Sequence, residues 1–273
     1  MIICKYKFDS SIYNNLIPEF NSGYTGYAVS DTVDGNIVTR TIECDVLPTL
    51  MSFGQVYVSG EVQQDYTRCL LEVLDMNTSE LTNCSNMFRY CTNLTSINCN
   101  WNTSKVTNME AMFLHCLILT KIEGVSNFDT SNVNNMRNMF YNCNKLTSLD
   151  LSNFDTSKVI DMESMFRSCK SLTQLDVSNF DTSNITNMRY MFQECSNLVS
   201  IDMKNSDYNS VNKIIAQLPT RTTDSIGTLD ITGIDDISQV NIGAAQAKFW
   251  NILNEDNSYF VLGKSKLGQT KLN

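Results

Sequence analysis

Five of the ten cysteines, Cys91, Cys116, Cys143, Cys169 and Cys195, recur at intervals of 25, 27, 26 and 26 residues. Thiols in a row could ligate zinc, form disulfides or act as small apolar core residues. Zinc needs four ligands converging on one point. One thiol per unit, carried on neighbouring helices ~8–10 Å apart, forms a line rather than a cage, and that spacing is also too wide for a disulfide. The column therefore predicts reduced, buried thiols behaving as small hydrophobes.

The lone histidine, His115, shares its place in the period with Tyr90, Asn142, Ser168 and Glu194. That variability predicts a plain surface residue. Two acidic columns follow the same period. Glu123, Asp150, Asp176 and Asp202, with Asn98 at the head, are expected on the outward face of short strands. Asp129, Asp155 and Asp181, with Asn77 and Asn102, are expected to cap turns by accepting backbone N–H bonds. The strand-face column has three readings: a solvated face, a divalent-cation site, or a surface for a basic partner. The chain carries no Gly-rich phosphate loop, His-Glu-x-x-His or Gly-x-Ser-x-Gly, so no catalytic residue, enzymatic activity, metal or cofactor is expected.

What positions these columns is a repeat. FDTSNVNNMRNMF at Phe128 returns as FDTSKVIDMESMF at Phe154 and FDTSNITNMRYMF at Phe180, and weaker copies begin at Met76 and Trp101. The extra residue in the interval of 27 is Gly124. Position six reads Leu81, Val106, Val133, Val159, Ile185. Position nine reads Cys84, Met109, Met136, Met162, Met188, and position twelve is Met in every copy. Position thirteen is Phe88, Phe113, Phe140, Phe166 and Phe192.

Val133, Met136, Phe140 and Cys143 lie at i, i+3, i+7 and i+10, which predicts one face of a short helix. Thr130 and Ser131 are its expected N-caps. Leu149 and Leu151 then flank Asp150 with the alternation of a strand. Position ten, Ser85, Glu110, Arg137, Glu163 and Arg189, alternates in charge and predicts pairing from copy to copy. The expected repeat core is Phe128, Phe140, Cys143, Phe154, Phe166, Cys169, Phe180, Phe192 and Cys195. A buried apolar side chain contributes ~2 kcal/mol, and one copy has too few to offset the ordering of its own backbone. Copies must stack to be stable.

The run LTSLDLSNFDTSKV at Leu146–Val159 resembles the BspA-type leucine-rich repeats of bacterial surface proteins and of phage and prophage proteins. The resemblance implies an α/β leucine-rich-repeat solenoid, right-handed, with short strands on one face. For function it implies adhesion or protein contact, with no catalytic residues to carry over. The run LPTRTTDSIGTLDITGIDD and the terminal VLGKSKLGQTKLN are similar to segments of phage-encoded proteins of Gram-positive bacteria.

Three regions are expected. Residues 1–75 form a β-rich attachment and capping domain, with strand alternation in ICKYKF and QVYVSGEV and an Asp-Gly turn in VDGNIV. Residues 76–205 hold five repeats. Residues 206–273 form a degenerate repeat and cap, with a helix in SVNKIIAQLP, a strand in GTLDITG, a second helix carrying Trp250, and a closing strand at YFVLG.

The net charge of −9 excludes a nucleic-acid partner, which needs clustered cations. No segment is long and apolar enough for membrane insertion, and the opening MIICKYKFDSS lacks a secretory pattern. Taken together, these features predict a non-enzymatic virion protein of a bacteriophage, assembled in the host cytoplasm and oligomeric in the particle. It would contact other virion proteins through residues 1–75 and display its repeats from tail or capsid toward a host-surface protein or glycan. The rival expectation is a bacterial cell-surface adhesin.

Overall fold

The computed structural model describes residues 2–11, 19–20, 27–44, 51–52, 56–58, 61–64, 70–76, 78–98, 101–234, 236–254 and 259–260. The N-terminal region contributes β1 (Ile2–Asp9), β2 (Glu19–Phe20), β3 (Tyr27–Asp34), β4 (Ile37–Cys44), β5 (Met51–Ser52), β6 (Val56–Val58), β7 (Glu61–Gln64) and β8 (Leu70–Met76). β1 is antiparallel to both β4 and β8. The β3–β4 hairpin turns at Gly35–Asn36, where Gly35 takes φ +59°, a conformation that glycine reaches without steric cost. Alternation puts Tyr6, Phe8, Val38 and Ile42 in the core, and a register shift in β8 brings Leu70 and Val73 to the same face. Arg40 reaches Asp31 through Nε (2.8 Å) and Nη2 (2.7 Å), and its guanidinium lies 5.0 Å from the Phe8 ring centroid.

The first repeat is built directly onto this sheet. β8 pairs in parallel with β9 (Ser96–Asn98), which pairs with β10 (Lys121–Glu123), so one six-stranded sheet runs β10-β9-β8-β1-β4-β3. A second sheet comprises β11 (Gln174–Asp176), β12 (Ser200–Asp202), β13 (Gly227–Asp230), β14 (Trp250–Leu253) and β15 (Tyr259–Phe260). Between the two sheets, the residues around Leu149 are not paired as a strand. The break follows the inserted Gly124, which sits at φ +75° and opens a 3₁₀ turn at Val125–Asn127.

Within the repeats the expected helices are not there. Positions eight to fifteen of each copy form successive tight turns with two left-handed residues per copy. Asn86, Ala111, Asn138, Ser164 and Tyr190 hold φ between 53° and 62° at position eleven. Tyr90, His115, Asn142, Ser168 and Glu194 hold φ between 58° and 65° at position fifteen. A left-handed residue every fourth place prevents α-helical continuation, yet the apolar side chains still fall on one side.

The copies stack through their backbones. Isolated parallel bridges join Asn83, Asn108, Asn135, Asp161 and Asn187 in sequence. On each turn, alternate N–H groups donate to carbonyls one copy further along. Asn138, Phe140 and Asn142 donate to Glu163, Met165 and Arg167, at 2.9, 2.9 and 2.8 Å. The position-thirteen phenylalanines form a ladder from Phe88 to Phe192 with centroids 5.5 to 5.9 Å apart and rings within 10° of parallel. Phe128, Phe140, Cys143, Phe154, Phe166, Cys169, Phe180, Phe192 and Cys195 are all buried.

The last copy is closed by α1 (Tyr208–Gln217), capped at its N-terminus by Asp207 and packed through Val211, Ile214 and Ile215. This is the helix expected before Pro219. The second expected helix is only α2 (Ile242–Gln246), and Trp250 opens β14 instead of lying on a helix face. Its indole is fully buried, donates to the Pro219 carbonyl at 2.8 Å, and lies where a Cβ on Gly227 would be 2.6 Å from the ring. Of the closing strand, Tyr259–Phe260 pairs antiparallel with β14; the remainder of that segment lies outside the described residues.

Candidate interaction face

The strand-face column is aligned by the parallel register. Asp176 stands opposite Asp202, and Asp202 opposite Asp230. Glu123, Asp150 and Asp176 are exposed, and Asp202 is half-buried. Like charges at strand spacing repel, and local donors offset that repulsion. Asp150 accepts from the hydroxyl and N–H of Ser152 (2.7 and 3.2 Å), and Asp176 from those of Ser178 (2.7 and 2.9 Å). The Ser152 hydroxyl and N–H hold the Asp150 carboxyl below its ordinary range.

Lys204 lies between Asp202 (2.7 Å) and Asp230 (3.2 Å). Those two carboxylates push its ammonium up to about 12. Lys121 similarly meets Glu123 at 2.6 Å. This side of the stack is therefore a charged surface, ion-paired at Glu123 and Asp202 and held by serine donors at Asp150 and Asp176. Among the described residues no group of three or more His, Cys, Asp or Glu side chains could hold a metal ion. Asp230 and Lys204 are not among the expected site residues; the signal for them is the return of the Asp-x-Thr pattern in LDIT, one coil beyond the recognised repeats.

The second acidic column caps turns. Asn102, Asp129, Asp155 and Asp181 each accept the N–H two residues on, at 3.1, 3.0, 2.9 and 2.8 Å. A third column, missed from the sequence, does the same at position eight. Asn83, Asn108, Asn135, Asp161 and Asn187 accept the N–H groups of Ser85, Glu110, Arg137, Glu163 and Arg189 at 2.8 to 3.3 Å. Thr130, expected as a helix cap, sends its hydroxyl to the Asp155 carbonyl of the next coil (2.9 Å), as Thr103 and Thr156 do to Asp129 and Asp181.

The thiols are buried, but the expected 8–10 Å separation does not hold because no helices intervene. Coils repeat at the spacing of a strand ladder, ~4.8 Å. Four of the five column thiols donate instead to a carbonyl of the preceding coil: Cys116 to Phe88, Cys143 to Phe113, Cys169 to Phe140 and Cys195 to Phe166, at 2.9 to 3.2 Å. Burial raises the Cys116, Cys143 and Cys169 thiols well above the ordinary range and pushes Cys84 and Cys195 up to about 12.

His115 is not a plain surface residue. Its ring is half-buried, stacked 4.7 Å from Tyr90 and tilted 5.3 Å from Tyr141, with Nδ1 2.8 Å from the Asn142 amide. Burial, and then the charge of Arg89, lower its pKa. Further along, the Arg167 guanidinium carbon lies 5.3 and 5.7 Å from the Tyr141 and Tyr190 ring centroids, and Arg167 pairs with Glu194 at 3.2 Å. Of the position-ten charges, Arg137 meets Glu163 at 3.2 Å, and Glu163 takes Asn187 as a second partner at 2.7 Å.

The family model described as Mycoplasma protein of unknown function, DUF285, matches residues 61–147 and again 116–226. The two matches overlap within the stacked coils. No curated protein matches the chain, and no solved structure does.

Proposed function

The chain belongs to the DUF285 family, which is related to BspA-like surface proteins, and on that premise we propose a non-enzymatic contact protein. The stacked coils are read as a BspA-type leucine-rich-repeat solenoid presenting its strand and turn columns to another macromolecule. The observation that carries this reading is the unbroken backbone ladder from Asn83 to Asn187. Side chains along it fall into columns, as an extended recognition surface requires. Glu123, Asp150, Asp176 and Asp202 form one such column.

The placement we favour is a bacteriophage virion, on tail or capsid, with residues 1–75 facing other virion proteins and the coils facing a host-surface protein or glycan. Its support is the similarity of the C-terminal segments to phage-encoded proteins and the free, buried cysteines, which suit assembly in a reducing compartment. Family membership favours a second reading, a bacterial cell-surface adhesin. Mass spectrometry of purified particles and of washed host envelopes separates the two. Copies in the particle and none in the envelope are expected; the reverse refutes the virion placement.

A further inference from the structure

The backbone ladder ends on an unfilled row. In the earlier coils the N–H groups of positions nine, eleven, thirteen and fifteen donate to the following coil. In the last coil the equivalent N–H groups, those of Met188, Tyr190, Phe192 and Glu194, meet no acceptor among the described residues. The reason lies in the element that closes the stack. α1 covers the apolar end of the coil with Val211, Ile214 and Ile215, and Lys213 Nζ takes the Thr182 carbonyl. A helix consumes its own carbonyls in i to i+4 bonds, so it shields the core and offers the row nothing.

Beside this row lies an open cleft of about 800 Å³ between Arg189, Tyr190 and Gln193–Ser196 on one side and Ala216–Thr222 with Ser225 on the other. Met188 and Phe192 are buried, so Tyr190 and Glu194 are the members of the row that face it. Tyr190 is half exposed at its mouth. Arg189 is exposed and makes no ion pair among the described residues. Two coils earlier, Arg137 holds the same position and pairs with Glu163 of the next coil, at 3.2 Å.

We propose that this cleft receives a polypeptide segment of a partner protein that adds as one further coil turn. Its carbonyls accept the exposed Tyr190 and Glu194 N–H groups, and a glutamate placed as Glu163 is placed pairs with Arg189. An unpaired row of donors is a template for backbone addition, and the arginine selects an acidic residue at one defined place. The inference does not depend on whether the protein is displayed on a virion or a cell.

The test uses the full chain, isotopically labelled, and a peptide copying residues 161–171 with C169S, whose carbonyls fill the same row two coils earlier. Saturable amide shifts confined to 188–196 and 216–225, at peptide up to about 1 mM, are expected. R189E should weaken the peptide about tenfold, and an E163K peptide should recover binding to R189E. Shifts absent from 188–196, or binding indifferent to the charge exchange, overturn the proposal. So does inorganic sulfate moving those amides while the peptide does not.

Discussion

The rings of Phe140 and Phe166 lie 4° from parallel with centroids 5.8 Å apart, each fully buried between neighbouring coils. A side chain so placed has no solvent-facing side into which the surroundings can relax. Phe140→Ala should cost ~3–5 kcal/mol, read from chemical denaturation. A loss below about 1 kcal/mol would show that the ladder does not carry the fold.

Position eight is a cap as well as a bridge. Asn135 accepts the Arg137 N–H and donates to Glu110 Oε2 at 3.2 Å. Asn135→Ala should destabilise by ~1 kcal/mol, the usual worth of a side-chain cap. In a Glu110→Gln background, which removes the carboxylate that the Asn135 amide serves, Asn135→Asp, copying Asp161, should cost clearly less than Asn135→Ala. Equal losses would mean that the cap contributes nothing.

His115 makes stability depend on pH near neutrality. Its folded pKa is lowered by burial and by Arg89, so the unfolded chain binds the proton more readily. Stability from this group is full above the unfolded value, ~6.5, and falls as pH drops through it toward the folded pKa. His115→Asn, copying the left-handed Asn142, should flatten the stability profile between about pH 7 and pH 5. An unchanged slope would contradict the half-buried, stacked ring, since the chain has no other histidine.

Thiolate formation is suppressed where the thiol is buried. Cys84, Cys91, Cys116, Cys143, Cys169 and Cys195 should therefore react with a maleimide only as fast as the protein opens. Rapid labelling of Cys143 in the native protein would place that column at the surface.

The repeat and its core are legible in the sequence because Phe140, Met139 and Cys143 recur in columns that only stacking can bury. The turns are not. Val133, Met136, Phe140 and Cys143 match a helical face, and two consecutive turns bent by left-handed residues bury the same positions. The clue lies in Asn86, Asn138 and Asn142, since Asn is the non-glycine residue that most readily adopts that conformation, but Ala111, Ser164 and Glu194 at equivalent places obscure it. Trp250 reads as helical because AAQAKFW is helical by propensity; Gly227 instead opens the space that lets the indole lie on the neighbouring strand. The acidic column reads as bare because Lys204 lies two residues from Asp202 in sequence, and only the register with Asp230 brings it between them.

The structure also revises how the N-terminal region can be removed. β8 runs to Met76, and the Leu71 carbonyl accepts the Thr95 N–H at 3.2 Å. Deletion of residues 1–75 should therefore lower the stability of the first coil as well as remove a contact surface. A truncated protein with unchanged denaturation would show the two parts to be independent.

The most direct trial of mutual shielding is circular dichroism and proton NMR on a synthetic peptide of residues 128–153, one complete coil, at monomeric concentration. A featureless, unfolded spectrum is the outcome required if each coil depends on its neighbours for burial. A cooperative thermal transition in that peptide would contradict it.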